Sequence, residues 1–200
     1  MTIGIGIRYC GGLLLCADTE ITHGDAAKSH EQKIFRVDDN DSLLVIAYSG
    51  SVPFAKMFIE DCCESFHNLT DKSKRAIRNY VSERLKSFHS SHIYPHPSRG
   101  YSGGPDFSLI VGIESKIDGL DFFSTNDCAV NNIEGFQCIG IGEYLARYII
   151  QQDFRFLLPR EDAERIAEKA IEAAKWNIPA CGGSHQIVFL GEGRGEKFSR

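Results

Sequence analysis

Ile3, Ile5, Ile7 and Tyr9 alternate with Gly4, Gly6 and Arg8, the period-two pattern of a strand with one face in a core. Cys10-Gly11-Gly12 then reads as a hairpin turn. Residues 13–17 are continuously apolar, as in a central strand buried on both faces, and Asp18 closes the run. The next strand-like run is Lys33-Ile34-Phe35-Arg36-Val37; the turn Asp38-Asp39-Asn40-Asp41 leads from it into the apolar segment 43–47. Phe54, Phe58, Cys62 and Phe66 recur at every fourth position with Met57 and Leu69 beside them, which predicts a helix. A second helix is predicted over 74–88 with Ile77, Val81, Leu85 and Phe88 on one side.

The segment 96–105 is rich in Gly, Pro and Ser and reads as a loop. Strands are expected at 107–111 and 120–123, split by Asp118-Gly119, and a strand pair between 129 and 138. Helices follow at about 143–152 and 160–176, then a final strand at 186–190 and a polar tail. Strands, two helices, strands, two helices and a strand are not the regular alternation of a doubly wound sheet. Two sheets packed face to face with helix pairs outside fit the order better. No internal repeat or composition shift divides the chain, so residues 1–200 are expected to form one domain.

Composition narrows the partners. The chain has 200 residues, 42% of them hydrophobic, and a net charge of −5, which suits a substantial core and gives no electrostatic reason to expect nucleic acid or a membrane surface. No apolar run reaches the length of a membrane helix, and the Gly-punctuated start lacks the apolar stretch of a signal peptide. Seven cysteines, an odd number with several inside apolar stretches (Cys16, Cys62, Cys63, Cys138), suit reduced thiols. A soluble cytoplasmic protein is the expectation.

The candidate chemistry starts at Thr2. Removal of Met1, which a small second residue permits, would place a hydroxyl and a free α-amine on one residue, a nucleophile with its own base. With the chain reversing at 10–12, Asp18 falls close to the partner of Thr2 on a neighbouring strand about 4.8 Å away. A carboxylate at the end of a buried strand needs a cation or several donors. Lys33 is the nearest candidate and Lys28 the substitute if the loop threads differently. Taken alone, Thr2 is an ordinary strand-starting residue, Asp18 a turn aspartate and Lys33 a strand-edge lysine. His89, His92 and His96 superficially resemble a metal cluster, but Pro95 and Pro97 break any shared helical face, so a helix end running into a surface loop is the reading. Gly140-x-Gly142 lacks the rest of a nucleotide fingerprint, and Cys181 has no paired base in its sequence context.

Thr2, the Gly11-Gly12 turn, Asp18-Thr19, Gly24 in the following loop and Lys33-Ile34 resemble the N-terminal half of a proteasome β-subunit, a pattern shared by the HslV-type peptidase. Ala47-Tyr48-Ser49-Gly50-Ser51 resembles that family's oxyanion-loop segment. Ile139-Gly140-Ile141-Gly142 leading into Glu143-Tyr144-Leu145-Ala146 resembles its later Gly-x-Gly helix entry, and Ala180-Cys181-Gly182-Gly183 its Ser-Gly-Gly before the last hairpin. There are departures. The spacing from Asp18 to Lys33 is one residue short, Ile141 and Cys181 stand where the family has serines, Ile178 where it has an aspartate, and Glu20 where arginine is common.

The resemblance implies an α+β fold, a four-layer αββα sandwich of two antiparallel sheets flanked by helix pairs. It implies a threonine-type peptidase (an N-terminal-nucleophile hydrolase) with Thr2 as nucleophile, Asp18 and Lys33 as the charge pair and Gly50 as oxyanion donor. No metal or cofactor is required by that chemistry. Further implications are a peptide or unfolded-protein substrate and a homo-oligomeric ring, often capped by an ATPase, with the helices between 53 and 88 at subunit contacts. The competing readings are an N-terminal-nucleophile amidase for small molecules, and a catalytically silent ring subunit or scaffold, to which Ile141 and Ile178 point.

Overall fold

The computed structural model describes residues 3–22, 27–101, 104–192 and 195–199. The first part of the chain forms β1 (Ile3–Tyr9), β2 (Gly12–Asp18), β3 (Glu20–Thr22), β4 (Lys28–His30), β5 (Ile34–Asp38) and β6 (Ser42–Gly50). The helices α1 (Val52–Phe66) and α2 (Lys74–Phe88) come next, then β7 (Phe107–Ser115), β8 (Gly119–Asn126), β9 (Ala129–Asn132) and β10 (Phe136–Gly140). The chain continues through α3 (Glu143–Asp153), α4 (Arg160–Asn177), β11 (His185–Gly191) and β12 (Gly195–Ser199).

Two five-stranded antiparallel sheets carry the fold: one in the order β10-β1-β2-β11-β12, the other β5-β6-β7-β8-β9, with β3-β4 as a separate ribbon. Three buried apolar layers hold them. Ile3, Ile5, Ile7 and Phe189 of the first sheet pack on Ala146, Ile150, Ile166 and Ala170 of α3 and α4. Leu44, Ile46 and Val111 of the second pack on Phe58, Cys62, Val81 and Leu85 of α1 and α2. Leu13, Leu15, Val45, Ile110 and Phe122 fill the space between the sheets. The result is the expected αββα sandwich. Among the described residues no helix is long and apolar enough to cross a membrane.

The β1–β2 hairpin, the central position of β2 and the buried face of α2 match the sequence pattern. Other expectations need correcting. β1 is buried on both faces, because Gly6 lets the second sheet approach: a Cβ on Gly6 would stand 2.5 Å from the Phe122 ring and 2.8 Å from Ile110, while one on Gly4 would meet Ile139 of the neighbouring strand β10. On α1, Ala55 and Ile59 are buried beside Phe58, Cys62 and Phe66, whereas Met57 is exposed. The strands between 129 and 138 do not pair with each other: β9 joins β8 in one sheet and β10 joins β1 in the other. The chain crosses between the sheets at 133–135, where the Ile133 N–H donates to Phe122 O and the Arg8 N–H to Gly135 O. The polar tail is itself a strand, β12, paired along β11.

Two features outside the strands set the surroundings of the second sheet. α2 runs on into a π-helical turn, His89–Ile93. The link between α1 and α2 is tied to the β5–β6 turn by Lys72, which pairs with Asp39 at 2.5 Å and donates to Phe66 O at 2.8 Å.

Candidate functional site

The register Gly4↔Ala17 places Ile3 across from Asp18 at the open end of the β1–β2 hairpin. The Ile3 N–H donates to Asp18 Oδ1 at 3.1 Å. Lys33, just ahead of β5, reaches the same oxygen with its Nζ at 2.8 Å. The other oxygen, Oδ2, accepts the Gly182 N–H at 3.0 Å. Lys33 also donates to the backbone carbonyl of Glu20. Both side chains of the ion pair are wholly shielded from solvent. Burial pushes the Asp18 carboxyl up, against the pull of the Lys33 charge and the two N–H donors. Burial likewise pushes the Lys33 ammonium down, against the pull of Asp18.

The one-residue difference in spacing therefore leaves Lys33 as the partner of Asp18. Lys28 sits elsewhere, paired with Glu20 at 2.8 Å and donating to Pro179 O at 3.0 Å. Glu20 is almost fully buried at this position. Thr2 lies outside the described residues; its neighbour Ile3 donates its N–H to Asp18.

Gly50 ends β6 with φ +103, a left-handed conformation suited to glycine. A Cβ there would meet the Asp106 carbonyl oxygen at 2.5 Å, and the same oxygen accepts the Ser51 N–H at 2.9 Å. Across a cleft of about 240 Å³ stand Gly140 and Ile141, at the end of β10. Gly140 pairs with Ile3, so the end of β10 lies beside the start of β1, and the cleft joins it to Gly50 at the end of β6.

Several site contacts carry no side-chain signal in the sequence. The Gly182 N–H and the Glu20 carbonyl are backbone groups; only the Cys181-Gly182-Gly183 motif hinted at the first. Cys181 is buried here, and burial, followed by the Asp18 charge, pushes its thiol up to about 12 despite Lys33. Such a thiol is not a ready nucleophile. Ile141 is 46% exposed at the cleft, where the family pattern has a serine. Ile178 packs against the α3–α4 core.

Among the described residues no group of three His, Cys, Asp or Glu side chains could hold a metal ion. His89, His92 and His96 go to separate aromatic neighbours: Phe107 at 5.5 Å, Phe88 at 4.7 Å and Phe54 at 5.3 Å between ring centres.

Comparison with known proteins bears on the family and the fold. The family model described as proteasome subunit matches residues 2–189. Proteasome subunit beta 2 of Cenarchaeum symbiosum is 24% identical over 196 residues, covering 96% of this chain and 87% of the relative. Proteasome subunit beta 1 of Pyrobaculum aerophilum is 26% identical over 205 residues, covering 98% and 93%. Among solved structures, Anbu (ancestral beta-subunit) from Yersinia bercovieri superposes with a TM-score of 0.85 at 12% identity, covering 98% of this chain and 86% of that one. A helical assembly of the Anbu complex from Pseudomonas aeruginosa contains a chain matching with a TM-score of 0.81 at 14% identity, over 94% and 81%. At these identities the structures speak for the fold.

Proposed function

The chain belongs to the proteasome subunit family, and we propose that it is a threonine peptidase that hydrolyses peptide bonds with Thr2 after loss of Met1. The observation that carries this reading is the shared oxygen of Asp18. It holds the buried Lys33 ammonium and the N–H of Ile3, the residue next to Thr2. A cation fixed at that place would favour the Thr2 alkoxide and lower the pKa of the neighbouring α-amine from its ordinary value near 8.

In the proposed reaction Thr2 Oγ attacks the substrate carbonyl carbon. The α-amine takes the hydroxyl proton and returns it to the leaving amine. The Gly50 N–H stabilises the tetrahedral oxyanion, a role for which donors of this kind contribute a few kcal/mol. Water then hydrolyses the acyl-enzyme and frees Thr2. Asp18 holds Lys33 in place and takes no proton.

The test is turnover of a peptide panel by the parent chain, Thr2→Ala and Thr2→Ser, with intact mass to establish the N-terminus. The alanine variant should be inactive with assembly unchanged, and the serine variant should keep part of the activity. Equal turnover by parent and alanine variant would overturn the reading.

A second reading, a catalytically silent subunit or scaffold, is favoured by one observation: Ile141 presents an apolar side chain at the cleft. A retained Met1 would support it, because the blocked amine cannot act as a base. For either reading we propose a homo-oligomer of six or more chains, acting in the cytoplasm on unfolded protein delivered by an ATPase. The helices α1 and α2 would contribute to the contacts. They and the π-helical turn border an open groove of about 630 Å³ with Met57 exposed at it. Native mass spectrometry decides the assembly, and a monomer at micromolar concentration would turn the choice toward a small-molecule amidase.

A further inference from the structure

Glu20 touches both supports of Asp18. Its carbonyl accepts from Lys33, which holds Asp18 Oδ1. Its N–H donates at 3.2 Å to the carbonyl of Gly182, whose own N–H holds Asp18 Oδ2. The side chain turns the same way. Glu20 Oε2 stands so close over Gly182 that a Cβ there would lie 2.5 Å from it. Glu20 Oε1 pairs with Lys28 Nζ at 2.8 Å, and Lys28 donates in turn to Pro179 O at 3.0 Å. The pair thus grips the segment 179–182 at both ends.

That segment has no ladder of its own to order it. Residues 178–184 link α4 to β11 outside helix and strand, and glycines such as Gly182 and Gly183 lose the most freedom when they are fixed. The Cys181 N–H turns back to Ile178 O, and Ser184 is tied to Thr19. The backbone of Gly182 hydrogen-bonds to Glu20 and Asp18. Ile178, standing where the family has an aspartate, packs into the α3–α4 core and brings no charge to the segment.

The charges fit the same arrangement. A carboxylate as buried as Glu20 needs a cation, and Lys28, half exposed, pairs with it at little desolvation cost. The Glu20 charge also reaches Lys33: burial pushes that ammonium down, Asp18 pulls it up most, and Glu20 adds a further pull.

We propose that Glu20 and Lys28 are positioning residues of this site, a clamp on residues 179–182 that keeps the Gly182 N–H on Asp18 and so keeps Asp18 aimed at Lys33. Lys33 is the cation on Asp18; Lys28 acts one step behind it, through Glu20 and the loop. The clamp is a property of the folded chain, and its effect on turnover rests on the peptidase reading.

The experiment is hydrogen–deuterium exchange on the full chain, resolved to residues 179–184, in the parent, Glu20→Gln, Lys28→Ala, Lys28→Arg and the double variant Glu20→Gln/Lys28→Ala. Both Glu20→Gln and Lys28→Ala should exchange the Gly182 amide about fivefold faster, the scale of a partly exposed ion pair, with α2 unchanged. Lys28→Arg keeps the cation and should match the parent. The double variant should exchange no faster than either single one, because both remove the same clamp. Parent-like protection of Gly182 in the single variants, effects that add in the double variant, or faster exchange confined to the β3–β4 ribbon overturns the proposal. Should Glu20→Gln fail to fold, the contrast of Lys28→Ala with Lys28→Arg decides. With a peptide that the parent turns over, kcat should fall about fivefold at unchanged KM in Lys28→Ala and recover in Lys28→Arg. A parent without turnover would sink the peptidase reading and leave the exchange result to judge the clamp.

Discussion

Lys33 and Asp18 form an ion pair of 2.8 Å in which neither side chain touches solvent. Removing both charges and removing one are therefore different experiments. A buried pair replaced by apolar groups is often tolerated, whereas a lone buried charge is strongly penalised. The pair also bridges the sandwich, because Lys33 precedes the edge strand of one sheet and Asp18 ends the central strand of the other.

Lys33→Ala should destabilise the chain by about 3–5 kcal/mol and abolish peptide turnover. Lys28→Ala breaks a pair whose lysine is half exposed and should cost about 1 kcal/mol or less. Urea unfolding of both variants checks the order. A reversed order would mean that the cation supporting the site is Lys28.

Gly6→Ala should destabilise without touching the site. The added methyl would meet the Phe122 ring at 2.5 Å and Ile110 at 2.8 Å in the layer between the sheets, an overpacking that costs about 1–3 kcal/mol. A lowered thermal midpoint with unchanged peptide preference is expected. A midpoint equal to the parent's would show that the sheets can separate to admit the methyl.

Asp39 gives a pH dependence. Burial pushes its carboxyl up, but the Lys72 ammonium, the Asp41 N–H and the Ser42 hydroxyl outweigh that and hold it at about 2 against an ordinary 3.8. The folded state therefore favours the ionised form. The stabilisation is complete above about pH 4 and is lost as pH falls through 3.8 toward 2. Asp39→Asn should lose about 1–2 kcal/mol at neutral pH and flatten this part of the acid unfolding curve.

The cysteines should separate on alkylation. Cys10 is exposed, whereas the thiols of Cys62, Cys138 and Cys181 are pushed up to about 12, chiefly by burial. Iodoacetamide at pH 8 on the folded chain should modify Cys10 and spare Cys181, as peptide mapping would register. First modification at Cys181 would instead identify an activated thiol beside Lys33.

The fold was legible in the sequence where periodicity and burial coincide. Ile77, Val81, Leu85 and Phe88 form the buried face of α2 as their spacing predicts, and the Gly11-Gly12 turn sets the β1–β2 register. β12 escaped because Gly195-Glu196-Lys197-Phe198 has no apolar alternation; backbone pairing with β11 holds it. The expected pairing between 129 and 138 failed because strand pattern records a half-buried ribbon and not which sheet receives it. At the site, Asp18 and Lys33 could be inferred from the cost of a buried charge. The Gly182 N–H could not, because a backbone donor looks the same in every residue.

The hydrogen bond from Gly182 to Asp18 spans 164 residues, and this has a consequence for a chain still on the ribosome. Synthesis proceeds at about 5–20 residues per second, so the carboxylate waits about 10–30 s between its own appearance and that of its last donor. For most of that interval Ile3 and Lys33 are already made, yet the pocket around Asp18 is open on one side. The ordered site is thus a property of the nearly finished polypeptide, and a nascent or truncated chain lacks it.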